Sequence, residues 1–316
     1  MKMYFAVKKV AMTLITAVLI AILCFSVMYY SPGNPAVILL RYKNPTGGLN
    51  QKTVEMYAEK LGVNQSFFAQ FGGWLKDAFH GNLGYSFKTG LPVIQEFTDR
   101  MGCTFSLMVF ATAVSLLIGV TFGILSALYN NRIIDKLVRL CTVFSMSVPS
   151  FWMAILFLWL FAIKLKWFPS FGFRGPGSIV LPGMVLALGH SAVIIRIAKS
   201  CILENMDCYY VMTARAKGLK ESMIMIRHVL KNVMLPVITL TGMNMVSIMG
   251  GSAITESIFG LPGLGGYLIT AIYVKDFPII LGFTFIMGMV VVVINLLVDL
   301  SYAMIDPRVR QGIHEK

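Results

Sequence analysis

The sequence predicts an all-α, polytopic membrane protein with six spanning helices and both termini on one side of the membrane. Two observations predict this class. Hydrophobic residues make up 57% of the chain and charged residues only 13%, against about 25% charged in an ordinary soluble domain. The apolar residues also form long uncharged blocks rather than a pattern of period 2 or 3.6, which favours burial in lipid.

Six uncharged stretches are long enough to cross a hydrocarbon core, which takes about 20 residues. Charges are strongly disfavoured at mid-bilayer, and a helix satisfies its own backbone hydrogen bonds in lipid. We therefore expect six spanning helices, which lie within about 10–30, 104–129, 140–163, 178–196, 233–254 and 279–303.

Two apolar segments, the first of the six stretches and residues 257–274, have alternative interpretations. Lys8 and Lys9 precede the first stretch as they would in a signal peptide, but its length and the lack of a small-x-small cleavage site favour an uncleaved helix. The uncharged segment 257–274 carries four glycines and a proline in its first half. We interpret it as a turn followed by a short helix at the membrane surface rather than as a seventh span.

The distribution of basic residues predicts the orientation. The chain has 27 Lys and Arg against 14 acidic residues, and 16 of the basic residues lie in the 66 residues of the terminal-side segments. The opposite segments hold 11 in 92 residues. By the positive-inside rule both termini are cytoplasmic, and the excess positive charge then faces an anionic inner leaflet, so nucleic acid is not needed to explain it.

The spans divide the chain into three parts. Residues 1–40 hold the N-terminal tail and first helix, 41–103 form an extracytoplasmic loop or cap, and 104–316 form a five-helix core with a long cytoplasmic loop at 197–232. The cap segment carries apolar side chains that either pack a small domain or lie on the bilayer as a surface helix. These are Phe67, Phe68, Phe71, Trp74 and Leu75.

The chain lacks the motifs of an enzyme or a metalloprotein. There is no Walker motif, GxSxG or HExxH, and the four histidines are not spaced at metal-ligand intervals. The five cysteines form no CxxC pair and are interpreted as small buried hydrophobes. We expect no catalytic residue, no bound metal and no cofactor on this chain.

Polar residues inside predicted spans are candidates for a transport pathway, because they are costly there. They are His190, Asn244, Asn295 and Asp299. Asp299 lies near a span end, where a structural role is equally compatible with its position. Gly119 and Gly123 form a small-xxx-small face suited to close helix packing.

The long loop 197–232 carries the most specific signal in the chain. TARAKGL at 213–219 is followed by RHVLKN at 227–232 and by Leu235 and Pro236. This pattern resembles the EAA loop of ABC-importer permeases for dipeptides, oligopeptides and nickel. Further strings of that family occur in order along the chain: PGNPA (32–36), LGYS (83–86), SVPSFW (147–152), WFPSFG (167–172), ESIFGLPGLG (256–265), DFP (276–278) and DPRVR (306–310).

The resemblance implies a type I importer permease in a bacterial inner membrane. It implies a second, homologous permease, two cytoplasmic ATPases that consume ATP, and an extracytoplasmic binding protein that delivers substrate and docks near the cap. The coupling contacts to an ATPase would be Ala214, Arg215, Ala216, Lys217, Gly218 and Leu219. Met212 stands where the broader superfamily has its glutamate, so a contact through an acid at that position is not expected.

Other functional classes remain as alternatives to this interpretation. A stand-alone secondary transporter or channel is the main rival, and a membrane enzyme would need a nucleophile or metal constellation that the sequence lacks. The resemblance allows dipeptides, longer peptides, nickel or a metal chelate as substrate. The segments NPAVILLRY (34–42) and TGMNMVSIMGG (241–251) are slightly closer to the nickel-type branch.

Overall fold

The computed structural model describes the backbone of residues 2–44 and 50–305 and the side chains of residue 12, 15–44 and 50–298. Regular structure in these ranges is helical apart from one isolated bridge between Tyr85 and Pro92. The elements are α1 (Lys2–Tyr29), α2 (Pro35–Lys43), α3 (Gln51–Lys60), α4 (Phe67–Phe79), α5 (Val93–Leu128), α6 (Ile133–Ser147), α7 (Ser150–Phe157), π1 (Leu158–Lys164), α8 (Gly177–Met206), α9 (Tyr209–Ala216), α10 (Glu221–Ile224), π2 (Met225–Val229), α11 (Leu230–Phe259), α12 (Leu264–Val274) and α13 (Phe277–Ile305).

Four helical stretches of the described chain are long and apolar enough to cross a membrane, or five if a bent pair of helices counts as one span. They coincide with the predicted spans at 104–129, 178–196, 233–254 and 279–303 to within a few residues at the ends, and the bent pair covers 140–163. The first predicted span falls on α1. The part of α1 whose side chains are described as an apolar helix, Ile15–Tyr29, is too short to cross a membrane by itself. The number six therefore stays a prediction.

The predicted helix at 140–163 is not continuous. The chain bends by 105° between α6 and the stretch Ser150–Lys164, where Val148 is extended at φ −85° and ψ 125°. Pro149 explains the break, because a proline has no backbone N–H to donate and its ring disfavours helical geometry in the preceding residue. The sequence predicts one helix within 140–163, whereas the structure has two helical stretches that meet at Val148 and Pro149.

The turn predicted at the start of segment 257–274 is present. Gly260 caps α11 in the left-handed conformation at φ +63°, which costs glycine little because it has no Cβ. The buried Glu256 accepts hydrogen bonds from the hydroxyls of Thr104 (2.7 Å) and Ser252 (3.0 Å). The Thr104 hydroxyl in turn accepts from the Leu264 backbone N–H at the start of the short helix α12 (2.8 Å).

Contacts divide the chain into two compact units, with boundaries inside α5, α12 and α13. The first unit is Met1–Gly102 with Gly266–Val293, and the second is Cys103–Gly265 with Ile294–Lys316.

In the first unit, aromatic side chains of α4 pack on the end of α1. Phe25 is 2% exposed, and its ring lies 5.5 Å from the rings of Phe67 and Phe71 and 6.0 Å from that of Trp74. These are three of the residues expected to form a cap. Phe68 on the same helix is 81% exposed. This exposure is compatible both with a surface that faces lipid and with a surface that binds another protein.

Two of the short motifs meet in the first unit. Asp276 of DFP is 1% exposed and accepts hydrogen bonds from the Ser86 hydroxyl of LGYS (2.5 Å) and the Phe87 backbone N–H (3.0 Å). Because a buried carboxylate must be hydrogen-bonded, this residue fixes the 84–92 loop against the start of α13. The motif DPRVR lies outside the described residues.

The second unit is built around α8, which packs against α6, α7 and α11. Glycines allow the closest helix contacts. A Cβ built on Gly119 would lie 2.5 Å from Ile194, and one on Gly123 would lie 2.7 Å from the Ala198 Cβ. The small-xxx-small face predicted on α5 therefore does pack tightly against α8.

Two glycines of α8 offer a matched test of this packing. A Cβ on Gly183 would meet the Phe110 ring at 2.3 Å, whereas one on Gly189 would meet nothing within 4 Å. We expect Gly183→Ala to destabilise the protein by about 1–3 kcal/mol, the usual cost of overpacking. Thermal unfolding in detergent measures the loss of stability. The control Gly189→Ala should leave the unfolding temperature unchanged or raise it, because alanine favours a helix more than glycine does.

Candidate functional site

The loop between α8 and α11 folds into a short helix and a tight turn. Helix α9 spans Tyr209–Ala216, and Gly218 follows it in the left-handed conformation at φ +75° with open space around its Cα. The Gly218 N–H donates to the Arg215 carbonyl (2.9 Å) and the Leu219 N–H donates to the Ala214 carbonyl (3.3 Å). This is the helix-terminating turn that the sequence predicts for a glycine at this position.

The inner face of α9 is packed into the second unit. Val211 is fully buried and Ala214 is 6% exposed. Both belong to a core that also contains Ala127 of α5, Ile202 of α8 and Val229 of π2, with Leu219 packed at its edge. Of the six predicted coupling residues, Ala214 and Leu219 thus support the helix from within, while Arg215, Ala216, Lys217 and Gly218 are exposed.

Polar contacts fix the position of α9. The Tyr210 hydroxyl donates to the Asn205 side-chain oxygen at the end of α8 (2.6 Å), and the Asn232 amide at the start of α11 donates to the Tyr210 hydroxyl (3.2 Å). Arg215 and Glu221 form a two-pronged ion pair across the turn, with N–O distances of 2.6 and 3.3 Å.

The ion pair across the turn has a modest energetic role. The hydrogen bond that Arg215 donates to the Glu221 carboxylate raises the pKa of Arg215 above its ordinary value, so the arginine is charged at every physiological pH. Both side chains are exposed, and exposed ion pairs contribute little to stability. The pair therefore holds the geometry of the turn more than it stabilises the fold.

The loop also exposes large apolar side chains on α9, α10 and π2. Tyr209 is 88% exposed, Ile226 67%, Met212 53% and Met223 39%. We refer to these four residues as the apolar docking face. Sequence reasoning did not single out Met223 and Ile226, because no periodic pattern distinguishes an exposed side chain from a buried one in this short, irregular segment.

A second constellation, which sequence reasoning missed, centres on Asp135 in the first turn of α6. Asp135 is fully buried and lies 2.6 Å from the Lys199 ammonium group on α8. The Ser126 hydroxyl (2.5 Å) and the Asn131 backbone N–H (3.0 Å) also donate to its carboxylate. The sequence contains one signal for this site, because Asp135 is the single acidic residue in a short connection that is otherwise basic.

The predicted intramembrane polar residues do not form one cluster. His190 of α8 lies within hydrogen-bonding reach of Asn244 of α11, and the Asn244 amide nitrogen is buried without a hydrogen-bond partner among the described residues. Asn295 is exposed on α13, and the side chain of Asp299 lies outside the described residues. Among the described side chains of this set, His190 and Asn244 are the pair that the structure brings together.

Among the residues that the structure describes, no three or more potential metal ligands lie close enough together to hold an ion. The five cysteines are free thiols.

Family models match nearly the whole chain. Residues 119–311 match the family described as binding-protein-dependent transport system inner membrane component, and residues 2–108 match the N-terminal part of such membrane components.

Curated relatives match along most of their length. A putative peptide permease of Brucella suis is 36% identical over 302 residues, covering 92% of this chain and 94% of the relative. The dipeptide transport system permease DppB of Alkalihalophilus pseudofirmus is 31% identical over 334 residues, covering 97% and 99%. The oligopeptide transport system permease AppB of Bacillus subtilis is 34% identical, covering 92% and 94%.

A solved structure shares the fold. A chain of the MetNI methionine ABC transporter in an inward-facing conformation matches with a TM-score of 0.54 and 14% identity, over 66% of this chain and 95% of that chain. Together with the family models and the curated relatives, this likeness leads to one conclusion. The chain belongs to the family of binding-protein-dependent transport system inner membrane components, and it is a multi-pass permease subunit of an ABC importer.

Proposed function

We propose that this permease imports small peptides across a bacterial inner membrane, driven by ATP that separate subunits hydrolyse. The observation that carries the proposal is the two-sided character of α9. Its inner face is anchored in the chain's own core through Val211 and Ala214, while Tyr209 and Met212 are exposed. A helix held rigidly on one side and left apolar on the other is suited to receive force from a partner protein.

The proposed partners follow from this arrangement and from the family. One of two cytoplasmic ATPases grips α9 through the apolar docking face and the exposed residues Arg215, Ala216, Lys217 and Gly218, while Ala214 and Leu219 hold the helix in place. A second, homologous permease completes the pathway, and an extracytoplasmic binding protein docks on the 41–103 segment. The chain binds no metal, cofactor or nucleic acid in this proposal.

Peptides are the proposed substrate class because the three relatives compared above are all named for peptide transport. Nickel or a metal chelate, which the sequence alone allowed, gains no support from these relatives. His190 and Asn244 are proposed to contact the substrate, since imidazole and amide groups can hydrogen-bond a peptide backbone. Asn295 and Asp299 remain candidates for the same pathway.

The proposed topology has six spans with both termini in the cytoplasm, so that α9 lies inside the cell. The three parts of the chain are then a first helix at 1–40, an outer cap at 41–103 and a five-helix core at 104–316. A stand-alone secondary transporter or channel is disfavoured by the family, whose members work with a binding protein.

Cysteine labelling tests the topology. In a variant with all five native cysteines replaced by serine, Lys217→Cys should resist a membrane-impermeant maleimide in intact spheroplasts and react after the membrane is opened. Lys88→Cys, an exposed position in the proposed outer segment, should react in both conditions. Labelling of residue 217 in sealed spheroplasts would contradict the proposed orientation.

Co-purification tests the docking face. Tyr209→Asp places a charge on the most exposed apolar side chain of α9, so we expect the ATPase subunits to be lost during purification of the complex. Tyr273→Asp is the matched control, because Tyr273 is 84% exposed in the first unit, against 88% for Tyr209. Equal retention of the ATPases by both variants would remove the basis for this docking site.

Substitution of Gly218 tests the coupling turn. No neighbouring atom would clash with a side chain at Gly218. A β-branched residue held at positive φ nevertheless has roughly 1–3 kcal/mol of backbone strain. We expect Gly218→Val to insert normally but to lose at least tenfold in substrate imported per ATP hydrolysed in proteoliposomes. Gly218→Asn should retain coupling, since asparagine tolerates the left-handed conformation. Normal coupling in the valine variant would show that the turn geometry is not required.

A further inference from the structure

One buried carboxylate joins four elements of the second unit. Both oxygens of Asp135 are used: Oδ1 accepts from the Lys199 ammonium group at 2.6 Å and the Ser126 hydroxyl at 2.5 Å. Oδ2 accepts from the Asn131 N–H at 3.0 Å and the Arg139 guanidinium at 3.2 Å. These donors lie on α8, at the end of α5, in the turn after α5 and on α6 itself.

The two ion pairs of Asp135 differ in their surroundings. The Lys199 side chain is 18% exposed, whereas that of Arg139 is 63% exposed. Water screens the Arg139 contact, which is therefore weak. The Lys199 contact is largely shielded, so removal of either partner leaves an uncompensated charge in a poorly solvated place.

The Asp135–Lys199 pair lies beside the contacts that carry α9. Ala198, immediately before Lys199, and Ile194, five residues before it, lie against the glycines of α5. One turn after it, Ile202 packs in the same core as Val211 and Ala214 of α9. Thus α5, α6, α8 and α9 are connected at one end of the unit by apolar packing, by the Tyr210–Asn205 hydrogen bond and by the polar contacts of Asp135.

We propose that the Asp135–Lys199 pair, which we call the clasp, is a positioning contact that makes α5 and α6 follow α9 when an ATPase moves it. This inference rests on the proposed role of α9 as the coupling helix. Apolar surfaces can slide past one another, because hydrophobic attraction has no preferred direction. A carboxylate with four fixed donors defines one register between α6 and α8, so displacement of α8 is transmitted rather than absorbed.

The clasp could stabilise the fold or transmit movement, and these two roles predict different results. If the pair only stabilises the fold, its loss reduces the amount of assembled complex, but each surviving complex transports with normal efficiency. If the pair transmits movement, its loss lowers the amount of substrate imported per ATP hydrolysed in complexes that are fully assembled. The ratio of uptake to ATP hydrolysis therefore separates the two roles.

The test uses the complete importer in proteoliposomes, supplied with its binding protein and a radiolabelled dipeptide. Lys199→Gln should assemble with its ATPases and hydrolyse ATP, yet import at least tenfold less substrate per ATP. Lys199→Arg, which keeps the charge, should restore the ratio to within about threefold of the wild type. Arg139→Gln removes the exposed ion pair of the same carboxylate and is the matched control, with an expected change below twofold.

A double variant keeps the test decisive if Lys199→Gln fails to assemble. Asp135→Asn with Lys199→Gln replaces both charges by neutral groups of similar shape, so no uncompensated charge remains. We expect this double variant to assemble and still to show the lowered uptake ratio. A wild-type ratio in the double variant, or in an assembled Lys199→Gln complex, overturns the proposal.

Failure of the clasp is distinguishable from failure of the coupling assignment. If Gly218→Val uncouples transport while the clasp variants do not, α9 is the coupling helix and the clasp is only structural. If Gly218→Val and Tyr209→Asp both leave transport and assembly intact, the role of α9 itself is wrong, and the clasp proposal falls with it.

Discussion

Hydrogen bonding of the backbone in hydrocarbon is the constraint on which this structure depends. Lipid offers no donors or acceptors, so each spanning segment must be helical, and charges are displaced to the connections. The chain's polar chemistry therefore concentrates where helices end. The Asp135 clasp, the Asp276 contact with the 84–92 loop and the Glu256 contact with Thr104 all join the end of one helix to another part of its own unit.

Helix packing within the second unit uses glycine where the apolar helices approach most closely. Gly119 and Gly123 bring α5 against α8, and Gly183 leaves room for the Phe110 ring. Hydrophobic attraction between helices is weak in lipid, so close van der Waals contact becomes an important source of association. This packing makes α8 the main support for α9, because α9 shares a core with the end of α8 and with Ala127 of α5.

The loop after α8 shows how a permease can present a surface without a separate domain. Val211 and Ala214 bind α9 to the core, Tyr210 links it to Asn205 and Asn232, and Arg215 with Glu221 closes the turn. These contacts leave Tyr209 and Met212 exposed on a fixed helix. An ordered, exposed apolar surface loses little conformational entropy on binding, which favours a partner that must exert force through it.

The sequence by itself determined the class of protein, most helix positions and the location of the loop that carries α9, because charge-free length, glycine turns and ordered motifs are local properties of the chain. It did not determine the break at Pro149, where one expected helix became two, nor the roles of Asp135 and Asp276. Their partners Lys199 and Ser86 are 64 and 190 residues away in the chain. It also could not show that Ala214 is buried and Arg215 exposed, because the burial of a side chain on a short helix depends on which neighbouring helices cover it. Only the tertiary structure brings distant donors to one carboxylate and selects which face of α9 remains free.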